Sequence, residues 1–215
     1  MAASNARRRA LQGLAALAAT LTLPARGQSA DAGFEYVVIP QQPVPAGEVI
    51  EVIEFFWYGC PYCYRLQDPL EAWLARKPAD IVFRRVPAMF RPSWVNHARL
   101  YLALETLDAL ALHRAVFDAI HTGGNRLEEH EAIAEWMGRQ GVARERWLAA
   151  YDHPQMESRL RLAIAQLQQY RISGTPTLVV DGRYPTSSSM TAGVPALIPV
   201  LDQLVALSRQ QRGLR

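Results

Sequence analysis

The chain's only two cysteines sit three residues apart in Phe55-Phe56-Trp57-Tyr58-Gly59-Cys60-Pro61-Tyr62-Cys63, directly behind an apolar, strand-like run. Pro61 is suited to the first turn of a following helix, so the Cys60 sulfur falls at a helix N-terminus. Unpaired backbone N–H groups and the helix dipole favour a thiolate there, the form that attacks disulfides. Two other chemistries use such a pair: half of a zinc site, or a static cross-link. Structural zinc takes four ligands. The chain has no second C-x-x-C, and His97, His113, His121, His130 and His153 form no H-x₃₋₅-H pair. The spacing therefore points to a redox dithiol and to no metal.

Residues 1–27 read as a secretory signal. Arg7-Arg8-Arg9 precedes a short Ala/Leu-rich stretch over 10–23, then Pro24 and small residues. The stretch is shorter than the roughly 20 apolar residues that span a bilayer. Cleavage after Gly27 or after Ala32 fits equally, and the paired arginines fit a twin-arginine export signal loosely.

That segment changes the meaning of the charge. Of the 23 basic residues, four lie in 1–27 with no acid beside them, which leaves 19 against 20 acids. The basicity belongs to the leader, and a nucleic-acid role, which needs a clustered basic face, loses its support. Export also places the cysteines where disulfides persist. A mature chain of this length can build a core without a staple, so the pair is not needed for stability.

Along the chain, 34–40 reads as a first, edge-type strand ended by Pro40. The run 49–57, interrupted by Glu51 and Glu54, suits a central strand covered on both faces. A helix follows over about 61–76 and a strand over 81–86, a spacing that implies a parallel right-handed βαβ unit. From 96 to about 171 the apolar periodicity is helical throughout. Strand pattern returns at 177–180, turns at Asp181-Gly182 and resumes at 183–184, and 194–207 closes as an amphipathic helix. The expectation is an α/β chain in two units: 34–95 with 172–208, and an all-helical insert over 96–171.

F-x-Y-G-C-P-Y-C behind Glu54-Phe55-Phe56, an all-helical insert, and Gly174-Thr175-Pro176-Thr177-Leu178-Val179-Val180-Asp181-Gly182-Arg183-Tyr184 together resemble the DsbA family of bacterial periplasmic thiol oxidases. The likeness covers nearly all of 34–208. It implies a thioredoxin fold interrupted by a helical subdomain, no bound cofactor, and a monomer that donates its disulfide to reduced, newly exported proteins in the periplasm. It also implies reoxidation by a DsbB-like membrane partner that reduces quinone.

Carried over by position, the resemblance makes Cys60 the attacking thiol and Cys63 the buried resolving thiol. Pro176 becomes the family's cis-proline, and Pro61, Tyr62 and Thr175 the residues beside the substrate. Glu54, six residues before Cys60, matches a buried acid that takes the proton of Cys63. The competing reading of Glu54 is a strand-end acid reaching water. Gln67 stands where familiar relatives carry another acid, and Tyr62 where the best-known members carry His. C-P-Y-C is the tetrad of glutaredoxins, but neither a leader nor a long insert belongs to those small domains. Trp57, Tyr58 and Met89 are read as core, with the lining of a peptide groove as the competing role, and the five histidines as surface or helix-cap residues.

Two other functions fit a C-x-x-C thioredoxin relative. One is an isomerase or reductase of the same fold, whose members typically add an N-terminal dimerisation domain. The other is a peptide-binding chaperone with an incidental disulfide.

Overall fold

The fold is organised around β1 (Ile50–Phe56), every residue of which is buried. The computed structural model describes residues 30–214, so the leader expected over 1–27 lies outside the described residues. β1 pairs in parallel with β2 (Ile81–Pro87), Glu54 lying opposite Arg85. On its other side it pairs antiparallel with β3 (Thr177–Val180), which continues into β4 (Tyr184–Ser187). The sheet order is β2-β1-β3-β4. Between β1 and β2 runs α1 (Pro61–Arg76), as a parallel crossover requires.

Alternation along β1 sends Ile50, Val52 and Glu54 to one face and Glu51, Ile53 and Phe55 to the other. Ile50 and Val52 pack with Leu66, Leu70 and Trp73 of α1 and with Leu197, Leu201 and Leu204 of the last helix, α7 (Val194–Arg212). Ile53 and Phe55 pack with Ala163 and Leu167 of α6 (Met156–Gln169). This double covering explains why β1 lacks the polar alternation of a half-exposed strand.

Between β2 and β3 the chain is helical: α2 (Val95–Thr106), α3 (His113–His121), α4 (His130–Arg139), α5 (Arg144–Tyr151) and α6. Their core holds Leu100, Leu104, Phe117, Trp136 and Trp147, and it includes Phe56, Tyr58 and both cysteines. The helices thus pack directly on the end of β1. α7 runs to Arg212 and ends on Gly213 in the left-handed conformation, a common helix stop.

The strand expected over 34–40 is not one. Val37 and Ile39 donate N–H bonds to the carbonyls of Pro185 and Arg183, alongside β4. The return bonds are lost because Pro185 has no N–H and the Arg183 N–H is held by the Val180 carbonyl in the hairpin turn. Half a ladder remains, and the sheet has four strands. The hairpin forms at Asp181-Gly182, both at positive φ (50° and 66°). A side chain on Gly182 would meet the Gln42 carbonyl at 2.8 Å, so the same glycine admits this segment.

Candidate active site

Cys60 caps α1. Its backbone is extended, Pro61 occupies the first turn, and its sulfur accepts the Cys63 N–H at 3.4 Å. A turn closed by the Cys60 N–H on the Trp57 carbonyl, 3.0 Å, delivers the chain from β1 to this cap. Trp57 folds its indole over Gly59, where a Cβ would meet the ring at 2.3 Å. It stacks on Trp94 with centroids 3.8 Å apart and planes 4° from parallel. From 115 residues away, the Thr175 carbonyl accepts the Cys60 thiol at 3.3 Å, and the Thr175–Pro176 bond is cis.

Both cysteines are free thiols, and their environments push them apart. Cys60 is lowered to about 6. The chief cause is a hydrogen bond from the Cys63 thiol; burial opposes it, and the Thr175 side chain and the N–H groups of Cys63 and Tyr62 assist. Cys63 is fully buried and is raised well above the ordinary thiol range, first by desolvation and then by Cys60. A nucleophile and a retained proton therefore sit side by side.

Glu54 has no exposed surface, which rules out the strand-end acid reaching water. Its Oε2 accepts Arg85 Nε at 2.8 Å, and Arg85 Nη2 reaches the exposed Glu71 at 2.7 Å. Burial raises the Glu54 carboxyl even so, with Arg85 as the main opposing influence. Its Oε1 has no partner. Its charge is among those that hold the Cys63 proton in place. Gln67 is also buried, and its side-chain amide donates to the Cys63 carbonyl at 3.0 Å.

Tyr62 is 48% exposed, and the Arg65 guanidinium lies over its ring at 4.5 Å. Pro61 is exposed beside it. An open pocket is lined by Tyr62, Ser173, Thr175, Pro176, Ser187 and Ser189. The fold thus brings the expected residues together: Pro61, Tyr62 and Thr175 reach the surface, Cys60 (6% exposed) and Pro176 are buried just behind them, and Cys63 and Glu54 lie beneath.

Residues 51–204 match the family described as the DSBA-like thioredoxin domain. The chain belongs to that family. Among DsbA relatives, it is 39% identical over 183 residues to the thiol:disulfide interchange protein DsbA of Azotobacter vinelandii, covering 82% of this chain and 84% of the relative. It is 39% identical over 185 residues to that of Burkholderia cepacia, covering 85% and 84%. The crystal structure of Pseudomonas aeruginosa DsbA superposes with a TM-score of 0.81 at 33% identity, over 86% of this chain and 97% of that one. Like these DsbA proteins, the chain is a thiol:disulfide oxidoreductase.

Several residues at this DsbA-type site escaped the sequence reading. Arg85 was one, although two acids in one strand and Arg84-Arg85 in the next are complementary, and Arg84 does pair with Glu51 at 2.7 Å. The histidines were another. His97 and His113 are 3% and 4% exposed rather than at the surface. Their signal was placement within apolar helical stretches.

Proposed function

We propose that the protein is a periplasmic dithiol oxidase that passes the Cys60–Cys63 disulfide to reduced, newly exported proteins. A substrate thiolate attacks the Cys60 sulfur, an S–S bond forms between them, and Cys63 departs as a thiolate that takes up a proton. A second substrate thiolate then attacks the substrate sulfur of the mixed disulfide and releases Cys60 as a thiolate. The substrate loses two electrons and the protein gains them. A membrane partner that reduces quinone restores the disulfide, and the working form is a monomer freed of residues 1–27.

The observation that carries this direction is the opposed acidity of the two thiols. A thiol lowered to about 6 is a good leaving group from the mixed disulfide. Cys63, raised by burial, holds its proton at neutral pH and is a slow nucleophile for the reverse step, which would return reduced substrate. Glu54, buried and with a free oxygen, has the raised pKa suited to giving the departing Cys63 thiolate its proton and accepting that proton when the disulfide is restored. Pro176 and Thr175 present backbone for an extended chain beside Cys60, with Pro61 and Tyr62 on the facing wall.

The test is trapping. Incubated with disulfide-bonded substrates, Cys63→Ala accumulates mixed disulfides at Cys60 because the thiol that would resolve them is gone, and Cys60→Ala accumulates none. Comparable trapping by both variants on non-reducing gels would contradict the assignment. A protein that rescues scrambled substrates but does not oxidise reduced ones would be an isomerase, and activity retained without Cys60 would mark a chaperone.

A further inference from the structure

The two ends of α3 both hold Tyr58, the residue two before Cys60. His113, the first residue of the helix, hydrogen-bonds the Tyr58 hydroxyl through Nδ1 at 2.8 Å. His121, the last, donates from Nε2 to the Tyr58 backbone carbonyl at 2.8 Å. Tyr58 is fully buried, with its ring against Phe117 at 4.9 Å and Phe56 at 5.1 Å. The ring and the main chain of one residue are therefore fixed from a single nine-residue helix.

Packing alone does not account for this choice of residues. The far nitrogen of His113, Nε2, is buried without a partner. Such a group costs about 1–3 kcal/mol, and an apolar ring of similar shape would avoid that cost. Burial and the charge of Arg85 keep His113 neutral, so its bond to Tyr58 persists through the working range. His121 has a second contact: its ring stacks on Tyr64 at 4.8 Å, 7° from parallel. Tyr64 immediately follows Cys63, and its N–H bonds the Cys60 carbonyl at 3.0 Å. Tyr58 and Gly59 are the central residues of the turn that ends on Cys60. The helix thus grips the dithiol loop on both flanks.

We propose that His113 and His121 are positioning residues that, through Tyr58 and Tyr64, seat the Cys60 sulfur on the end of α1 and so set the dithiol–disulfide equilibrium. The seat depends on the turn because the Cys63 N–H meets the sulfur, at 3.4 Å, only while the turn holds Cys60 at the first position before the helix. Loosening the turn removes a contact made chiefly to the thiolate. This rests on Cys60 being the attacking thiolate. A wild-type Cys60 that titrates as an ordinary thiol would overturn that reading directly, whereas the variants below test the clamp by comparison with wild type.

The experiment measures the glutathione equilibrium and the Cys60 thiolate titration for His113→Leu, His121→Leu and Tyr58→Phe. Each should move the equilibrium at least threefold toward the disulfide form, about 14 mV for two electrons, and raise the Cys60 pKa. His113→Asn and His121→Gln, which keep a hydrogen-bonding atom near Nδ1 and Nε2, should recover at least half of the change. A purely structural role would lower the unfolding midpoint of both redox forms and leave these readouts in place. Equilibria within about 1.5-fold of wild type, or Asn and Gln variants no better than Leu, would overturn the proposal. If a Leu variant fails to fold, Tyr58→Phe, which removes one oxygen, decides.

Discussion

Lowering Cys60 to about 6, against 9.0 for an ordinary thiol, makes the stability gap between the two redox forms depend on pH in a calculable way. Between those values the reduced native protein has lost a proton that its unfolded chain still holds. The stability of the reduced form therefore rises with pH, by about 1.36 kcal/mol per pH unit. At pH 7 the gain is about 1.4 kcal/mol, a tenfold bias or about 30 mV toward the dithiol. It approaches about 4 kcal/mol near pH 9 and disappears as pH falls below 6. Cys63, shifted the other way, is protonated in both states below its ordinary range and does not contribute in this window. The assay is urea unfolding of the oxidised and reduced proteins at half-unit steps from pH 5.5 to 8.5, taking the difference so that groups common to both forms cancel. The reduced-minus-oxidised stability should climb by about 2–3 kcal/mol across the series. A flat or falling difference would refute the assignment of a depressed thiol to Cys60.

Three further substitutions have definite outcomes. Arg85→Met leaves Glu54 buried without its cation; it should cost about 3–5 kcal/mol at pH 7.5 and much less at pH 4.5, where the buried carboxyl is protonated and the unfolded one is about half protonated. Urea midpoints at the two pH values would show this, and a loss independent of pH would argue against a charged Glu54. Gly59→Ala should destabilise by about 1–3 kcal/mol, because its Cβ lands on a Trp57 ring backed by Trp94; a change below about 0.5 kcal/mol would mean that the stack yields. Tyr62→His should lower the Cys60 pKa and make the protein more oxidising where the imidazole is charged, below about pH 6.5; an unchanged thiolate titration would indicate that Arg65, seated on the Tyr62 ring, already supplies the positive field.

What could be read in advance was whatever is local in sequence. Cys60, Pro61 and Cys63 belong to one helix end, and Asp181-Gly182 to one turn, so their chemistry is written within a few residues. Glu54 was legible as an acid in an apolar strand that demanded an explanation. Its partner was not, because Arg85 meets it only through the parallel register of β1 and β2, 31 residues on. His113 and His121 were hidden for the same reason. Each looks like an ordinary helix-terminal residue until α3 is laid against the end of β1. The strand expected at 34–40 failed on a detail of its partner, a proline and a turn-bound N–H on β4, that no pattern within 34–40 contains.

The antiparallel pairing of Val52 with Val180 spans the whole helical stretch, and so does the contact from Cys60 to Thr175. A chain delivered from its N-terminus presents both thiols, along with β1, α1 and β2, while β3 is still unmade. Until the chain beyond the helices arrives, β1 has an open edge and Cys60 lacks the loop that faces it. Closing over that separation costs loop entropy before any of these contacts repays it. During that interval the nascent dithiol is itself a reduced, incompletely folded substrate, open to oxidation by finished copies of the same protein.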